Sequence, residues 1–314
     1  MMSEKKMTSI GGQAVIEGVM MRGPHKMAVA VRKPDGEIII DEKAVKGKSK
    51  IAKIPVLRGV VSFFSSMIIG VQALMFSAKF FDVEEEEKSK EKNKDVKKKE
   101  EGATDNGMPD WALYLSVIIS LFISIGLFFI LPNVISEFVV PNKEENAVLY
   151  NLVESVVKLT IFGGYLVLVS QMKDIQRVFE YHGAEHKSIF CYENGEELTV
   201  ENVKKYPRFH PRCGTSFLLF VIIISILVFS VLGVYENVFV NIGLRLLFLP
   251  LVAGISYEII KFAGKSKNKC VTWLNAPGKW LQKLTTREPD DSQIEVAIQS
   301  LKAVIPENGE DDRW

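Results

Sequence analysis

Two stretches of the chain, residues 111–136 and 214–235, run without a charged side chain, and each is long enough to cross about 30 Å of hydrocarbon as a helix. Two more, 147–172 and 242–262, carry charges (Glu154 and Lys158 in the first, Arg245, Glu258 and Lys261 in the second) yet stay apolar enough to cross. These four runs predict a mainly α-helical, multi-pass membrane protein. A fifth run, 55–81, contains an uncharged stretch from 59 to 78. The charge asymmetry across the membrane makes it a re-entrant or interfacial helix with Arg58 and Lys79 snorkelling at its ends, and Ser62, Ser65, Ser66, Gln72 and Ser77 suit packing against other helices better than exposure to lipid.

The segment 9–25 has no helical period, and its four glycines and a proline suit backbone turned closely around something. It reads equally as a binding loop or as a tight strand-to-loop connection. Residues 26–32 and 37–41 read as strands joined by Pro34-Asp35-Gly36, so a small β element precedes the membrane. Between 82 and 108 Glu and Lys alternate with almost no apolar residue, the composition of a solvated, disordered linker. The run 147–172 continues past Gln171 into polar sequence, so one helix is expected to carry Tyr181-His182-Gly183-Ala184-Glu185-His186-Lys187 out of the membrane. A compact loop follows, with a turn at Glu193-Asn194-Gly195-Glu196 and a short helix started by Thr199 and Glu201. After Gly264, Trp273, Trp280, Leu281 and Leu284 share a helical face beside Lys279 and Lys283, as in an interfacial helix. Asp290 then caps an amphipathic helix with Ile294, Ala297, Ile298, Leu301 and Val304 on one side, and an acidic, disordered tail follows Pro306. The organisation expected is 1–54, a glycine-rich and β-hairpin segment; 55–81, the interfacial helix; 82–110, the linker; 111–263, the transmembrane domain with a motif loop at 173–213; and 264–314, amphipathic helices and tail.

Charge sets the orientation. With four spans and the N-terminus inside, Lys and Arg number 11 before Ile54, 7 in the linker, 7 in the motif loop and 8 after Gly264, whereas the other side has only Lys143. If 55–81 crossed, the later loops would invert and leave 12 inside and 22 outside. The positive-inside rule selects the first arrangement, a multi-pass protein of the cell membrane with both termini cytoplasmic. A net charge of +1 from intermixed basic and acidic residues gives no ground for nucleic-acid binding, and the lipid bilayer is the partner that the sequence implies. Cys191, Cys213 and Cys270 all fall on the cytoplasmic side, where a disulfide is not expected.

The candidate chemistry lies in the motif loop. On a helix His182 and His186, at i and i+4, share a face and can close on one ion. Ile175, Val178, Phe179, His182, Glu185 or His186, and Ile189 recur at helical spacing, which turns that face inward. Two imidazoles and a further ligand suit a divalent first-row metal, zinc before the others. The order His-x-x-Glu-His matches the inverted zinc-peptidase signature, in which the glutamate is the base. A pattern this short recurs by chance, and a helix end whose histidines only bond to polar neighbours is the alternative. His210 and Cys213 are tethered where the third span begins, at the surface from which the motif helix leaves. The set expected to hold metal is therefore His182 and His186 with Cys213 or His210, and Glu185 acts as catalytic base or supports a ligand. Within the membrane, Glu154 and Lys158 are an i, i+4 pair that Arg245 could complete, read as a structural lock between helices before any transport role.

With the segments from Gly11 to Pro24, Tyr181 to Lys187 and His210 to Ser216 together, the sequence resembles the YqhQ-like family of bacterial multi-pass membrane proteins, over residues 10–305. The resemblance implies a metal-dependent enzyme without specifying its reaction, and a metal site of His182, Glu185, His186 and Cys213. A metal-dependent hydrolase acting near the cytoplasmic leaflet is the first functional expectation. A non-catalytic partner of another membrane protein, such as a translocation or membrane-biogenesis accessory, is the alternative. Neither reading fixes an oligomeric state.

Overall fold

The computed structural model describes residues 7–45, 54–81, 110–142, 145–211, 213–233, 235, 237–265, 276–306 and 312. The linker (apart from Asp110), Trp273, Cys270 and the acidic tail (apart from Asp312) lie outside the described residues.

The glycine segment is not a loop: it forms two of four strands, β1 (Gly11–Val15) and β2 (Gly18–Arg22), followed by β3 (Lys26–Arg32) and β4 (Ile38–Ala44). All pairs are antiparallel in the order β1-β2-β3-β4. Ile16 and Glu17 make the β1–β2 turn, with Glu17 at φ 47°. A turn of this kind usually carries Asn or Gly, so the sequence hid it.

Both faces of the sheet are covered. On one, Val19, Met21, Ala28 and Ala30 share a core with Tyr181, Ala184 and Ile189 of α5 (Lys173–Glu193) and with Ile294, Ala297, Ile298, Leu301 and Val304 of α10 (Asp291–Val304). The capping residue Asp290 and Gln293 close a reciprocal cap that starts α10. On the other face, Val15, Met20, Val29 and Val31 pack on Ala73, Ile69 and Phe76 of α1 (Leu57–Ala78). The hydroxyls of α1 serve this contact: Ser77 Oγ accepts from Ile16 N–H, and Arg22 donates to Ser65 Oγ, both at 3.3 Å. Val61, Phe64, Met67, Ile68, Val71 and Leu74 are exposed on the rest of α1, as are Ser66 and Gln72.

Four of the described helices are long and apolar enough to cross a membrane: Leu57–Ala78, Leu115–Val139, Ala147–Val169 and Phe239–Phe262; Phe217–Leu232 is a shorter apolar helix. The second comprises α2 (Asp110–Ile125), a π-helical turn (Gly126–Ile130) and α3 (Leu131–Val139). The others fall in α4 (Ala147–Val169), α7 (Gly214–Leu232) and α8 (Val238–Lys265). Their apolar side chains are widely exposed, Phe122, Leu168, Val231 and Leu247 among them, as a lipid surround requires. The single helix expected to run from the membrane into the motif is in fact two. α4 ends at Val169, Met172 is extended at ψ 130°, and α5 starts at Lys173.

Glu154 of α4 receives Lys158 at 2.7 Å and is also bonded by Arg245 of α8, which reaches Asn151 Oδ1 at 3.4 Å. The expected pair is thus a triad that ties α4 to α8. Where α1 crosses α8, a Cβ on Gly59 would lie 2.8 Å from the Gly254 carbonyl oxygen, and Arg58 bonds Glu258 in two places beside the crossing. Gly59→Leu is expected to push α1 off α8 and lower stability by about 1–3 kcal/mol, read as an earlier melt of the detergent-solubilised protein. An unchanged melt would show that the crossing is loose.

Candidate metal centre

From Tyr181 to Ile189, α5 is buried on nearly all sides, His182 being the partial exception. The sheet and α10 cover one side. The loop from α6 (Val200–Lys204) to α7 and the end of α9 (Ala276–Thr285) cover the other. Thr199 caps α6, accepting from Asn202 N–H at 3.3 Å.

His182 Nδ1 lies 2.8 Å from the Thr285 carbonyl oxygen, and His186 Nδ1 lies 2.5 Å from that of Arg208. A carbonyl only accepts, so each Nδ1 carries the proton of the neutral ring. Each Nε2 is left with a lone pair. Those two atoms and Cys213 Sγ lie within 4.8 Å of one another, with Sγ 3.2 Å from His182 Nε2. Among the described residues, His182, His186 and Cys213 are the group of three that could hold a metal ion. Histidine ligands in metal sites are commonly oriented in this way, the second ring nitrogen bonded to a carbonyl.

Glu185 adds a fourth acceptor. Its Oε2 is 3.5 Å from His186 Nε2 and 3.9 Å from His182 Nε2, while Oε1 accepts from Gly12 N–H at 3.0 Å. Burial raises its pKa, partly offset by His182 and by the Gly12 N–H. Two imidazole lone pairs, a sulfur and a carboxyl group thus face one another. Donor sets of this composition suit a divalent cation. His182, with a side-chain exposure of 17% against 2% for His186, is the open side of the cluster.

His210 has another setting. Its ring lies 5.7 Å from that of His186 and packs on Phe190 at 4.5 Å, and its Nε2 is 3.6 Å from Glu193 Oε2. The buried Gln282 side chain holds its backbone, accepting from His210 N–H and donating to the carbonyl, both at 2.8 Å. Sequence reasoning missed Gln282, Thr285 and Gly12. Gln282 and Thr285 lie on α9 opposite the exposed Trp280 and Leu284, so the polar side of that helix is the side against the protein. Gly12 is close-packed: a Cβ there would meet the Met20 carbonyl oxygen at 2.6 Å and Glu185 Cγ at 2.9 Å.

No solved structure matches the chain. A relative from Bacillus subtilis (strain 168), described as "Uncharacterized protein YqhQ", is 35% identical over 313 residues, 97% of this chain and 95% of that protein. Residues 54–307 match the family described as "Protein of unknown function (DUF1385)", and the chain therefore belongs to that family.

Proposed function

We propose that this protein is a membrane-bound, metal-dependent hydrolase, with one zinc ion held by His182, His186 and Cys213 and with Glu185 as its base. The observation that carries the reading is the fixing of both Nδ1 protons on carbonyls, which turns both Nε2 lone pairs towards Cys213 Sγ. A bound divalent ion would supply Lewis acidity beside Glu185. Glu185 Oε2 takes a proton from the attacking water and returns it to the leaving group, while Gly12 N–H holds Oε1 in place. His210, gripped by Gln282, keeps the loop before α7 in register with α5.

The site belongs at the cytoplasmic surface in this reading. The basic residues gather on that side, and α1 lies along the interface, with its exposed apolar stripe in lipid and its serines against the sheet. Metal analysis of protein purified in detergent tests it, and the expected result is one zinc per chain, removed by a chelator. No zinc, and none taken up at micromolar concentration, would leave the alternative of a non-catalytic membrane partner. The sheet, α5 and α10 would then serve as a rigid platform.

A further inference from the structure

Arg32, Arg58, Arg177 and Arg245 each reach a carboxylate, on Glu295, Glu258, Glu17 and Glu154 respectively. Arg22 reaches none among the described residues. It closes β2 on the same face of the sheet as Met20, the face turned to α1, and its Nη1 donates to Ser65 Oγ at 3.3 Å. The side chain is half-buried there, and burial lowers its pKa with no carboxylate acting against the shift.

The setting is the end of a membrane span. Tyr257 of α8 is close enough to act on the charge of both Arg22 and Arg58, and it stands near the end of the apolar length Phe239–Phe262. It also stands at the α1–α8 crossing, where a Cβ on Gly59 would lie 2.8 Å from its own. Lys261 Nζ is 6.0 Å from the Tyr257 ring, so a further cation stands at this end of the helix. Glu258, the carboxylate at the crossing, is held at both oxygens by Arg58. Arg22 is therefore left over, at the level where hydrocarbon gives way to headgroups. Apolar surface flanks it: Phe64, next to Ser65 on α1, Ile68, one turn on, and Phe262, next to Lys261 on α8, are all exposed.

We propose that Arg22, with Ser65 and Tyr257, binds the phosphate of an anionic phospholipid whose acyl chains lie over Phe64 and Ile68. The guanidinium supplies the planar fork that matches two phosphate oxygens. Ser65 Oγ, which accepts from Arg22, keeps its own proton to donate, and the Tyr257 phenol is a second hydroxyl donor. A zwitterionic headgroup would bring an ammonium among Arg22, Arg58 and Lys261 with Glu258 already taken, so the crevice favours phosphatidylglycerol over phosphatidylethanolamine. Basic clefts between membrane helices recognise anionic headgroups by this chemistry. Bound there, one lipid would bridge β2, α1 and α8 and tie the sheet to the spans. The site needs neither a metal nor hydrolysis.

The probe is phosphatidylglycerol, mixed in detergent with an equal amount of phosphatidylethanolamine of the same chains and added to the full chain, with the retained lipid counted by native mass spectrometry. Phosphatidylglycerol is expected to be retained about tenfold over its competitor. Arg22→Gln should bring the ratio near parity, and Lys33→Gln, which removes a cation held by Asp35 and Glu37 elsewhere on the sheet domain, should leave it unchanged. Millimolar inorganic phosphate should not displace the lipid. Displacement would assign the crevice to free phosphate and overturn the lipid. Equal retention of the two lipids by the wild type overturns the proposal whether or not Arg22→Gln folds. A folded Arg22→Gln protein with the full preference, or an equal loss in Lys33→Gln, overturns it as well.

Discussion

Glu154→Ala is expected to lower folding stability by about 3–5 kcal/mol, the size of loss seen when one partner of a buried ion pair is removed. The carboxylate is 3% exposed and stands between two cations: Lys158, one turn along α4, and Arg245 of α8. Both are held in apolar surroundings, Lys158 near the rings of Phe129 and Phe229 and Arg245 near Phe229. Removing the anion leaves the two cations facing each other with no water to replace it. An uncompensated charge within a bilayer costs about 2.5–3.5 kcal/mol even on the lower scales. The check is unfolding in mixed micelles of increasing sodium dodecyl sulfate. Glu154→Ala combined with Arg245→Gln should recover part of the loss, because it removes the repulsion as well as the attraction. A Glu154→Ala protein within about 1 kcal/mol of the wild type would mean that water reaches the triad. The triad also corrects the simplest test of a pair. Exchanging Glu154 and Lys158 would rescue an isolated pair, but here it sets a lysine against Arg245, so no rescue is expected.

The i, i+4 spacing of Glu154 and Lys158 made their contact legible in the sequence, because the helix itself brings them together. Arg245, 91 positions from Glu154, depends on how α4 meets α8, and no local pattern encodes that. The same division holds elsewhere. The apolar runs gave the long helices, and Asp290 and Thr199 marked helix starts, since these signals are contained within one or two turns. The break at 170–172 passed unseen because neither glycine nor proline marks it. β1 and β2 were hidden by glycines that look like a loop and serve close packing instead, Gly12 against Met20 and Glu185. At the metal centre, spacing placed His182 and His186 on one face, and the start of α7 placed Cys213 nearby. Which ring nitrogen faces inward depended on the carbonyls of Arg208 and Thr285, which carry no side-chain signal at all.

Cobalt titrated into the metal-free protein is expected to bind at His182, His186 and Cys213 with a sulfur-to-cobalt charge-transfer band. Cys213→Ser should abolish that band. The thiol is the soft donor of the set, and it reaches the histidine cluster, Sγ lying 3.2 Å from His182 Nε2. His186→Ala should weaken binding more than the roughly 10- to 100-fold typical of losing a residue that only supports a ligand, because it removes a lone pair already aimed at the site. His210→Ala should leave the band in place, since its Nε2 is turned to Glu193 and its backbone, held by Gln282, is kept by the substitution. Glu185→Gln separates base from ligand: the amide keeps an oxygen to accept from Gly12 N–H, so the band should persist, while any hydrolysis should be lost. Retention of the band in Cys213→Ser would assign the sulfur ligand to another cysteine, and loss of the band in His210→Ala would make His210 part of the site; either result overturns the set of His182, His186 and Cys213.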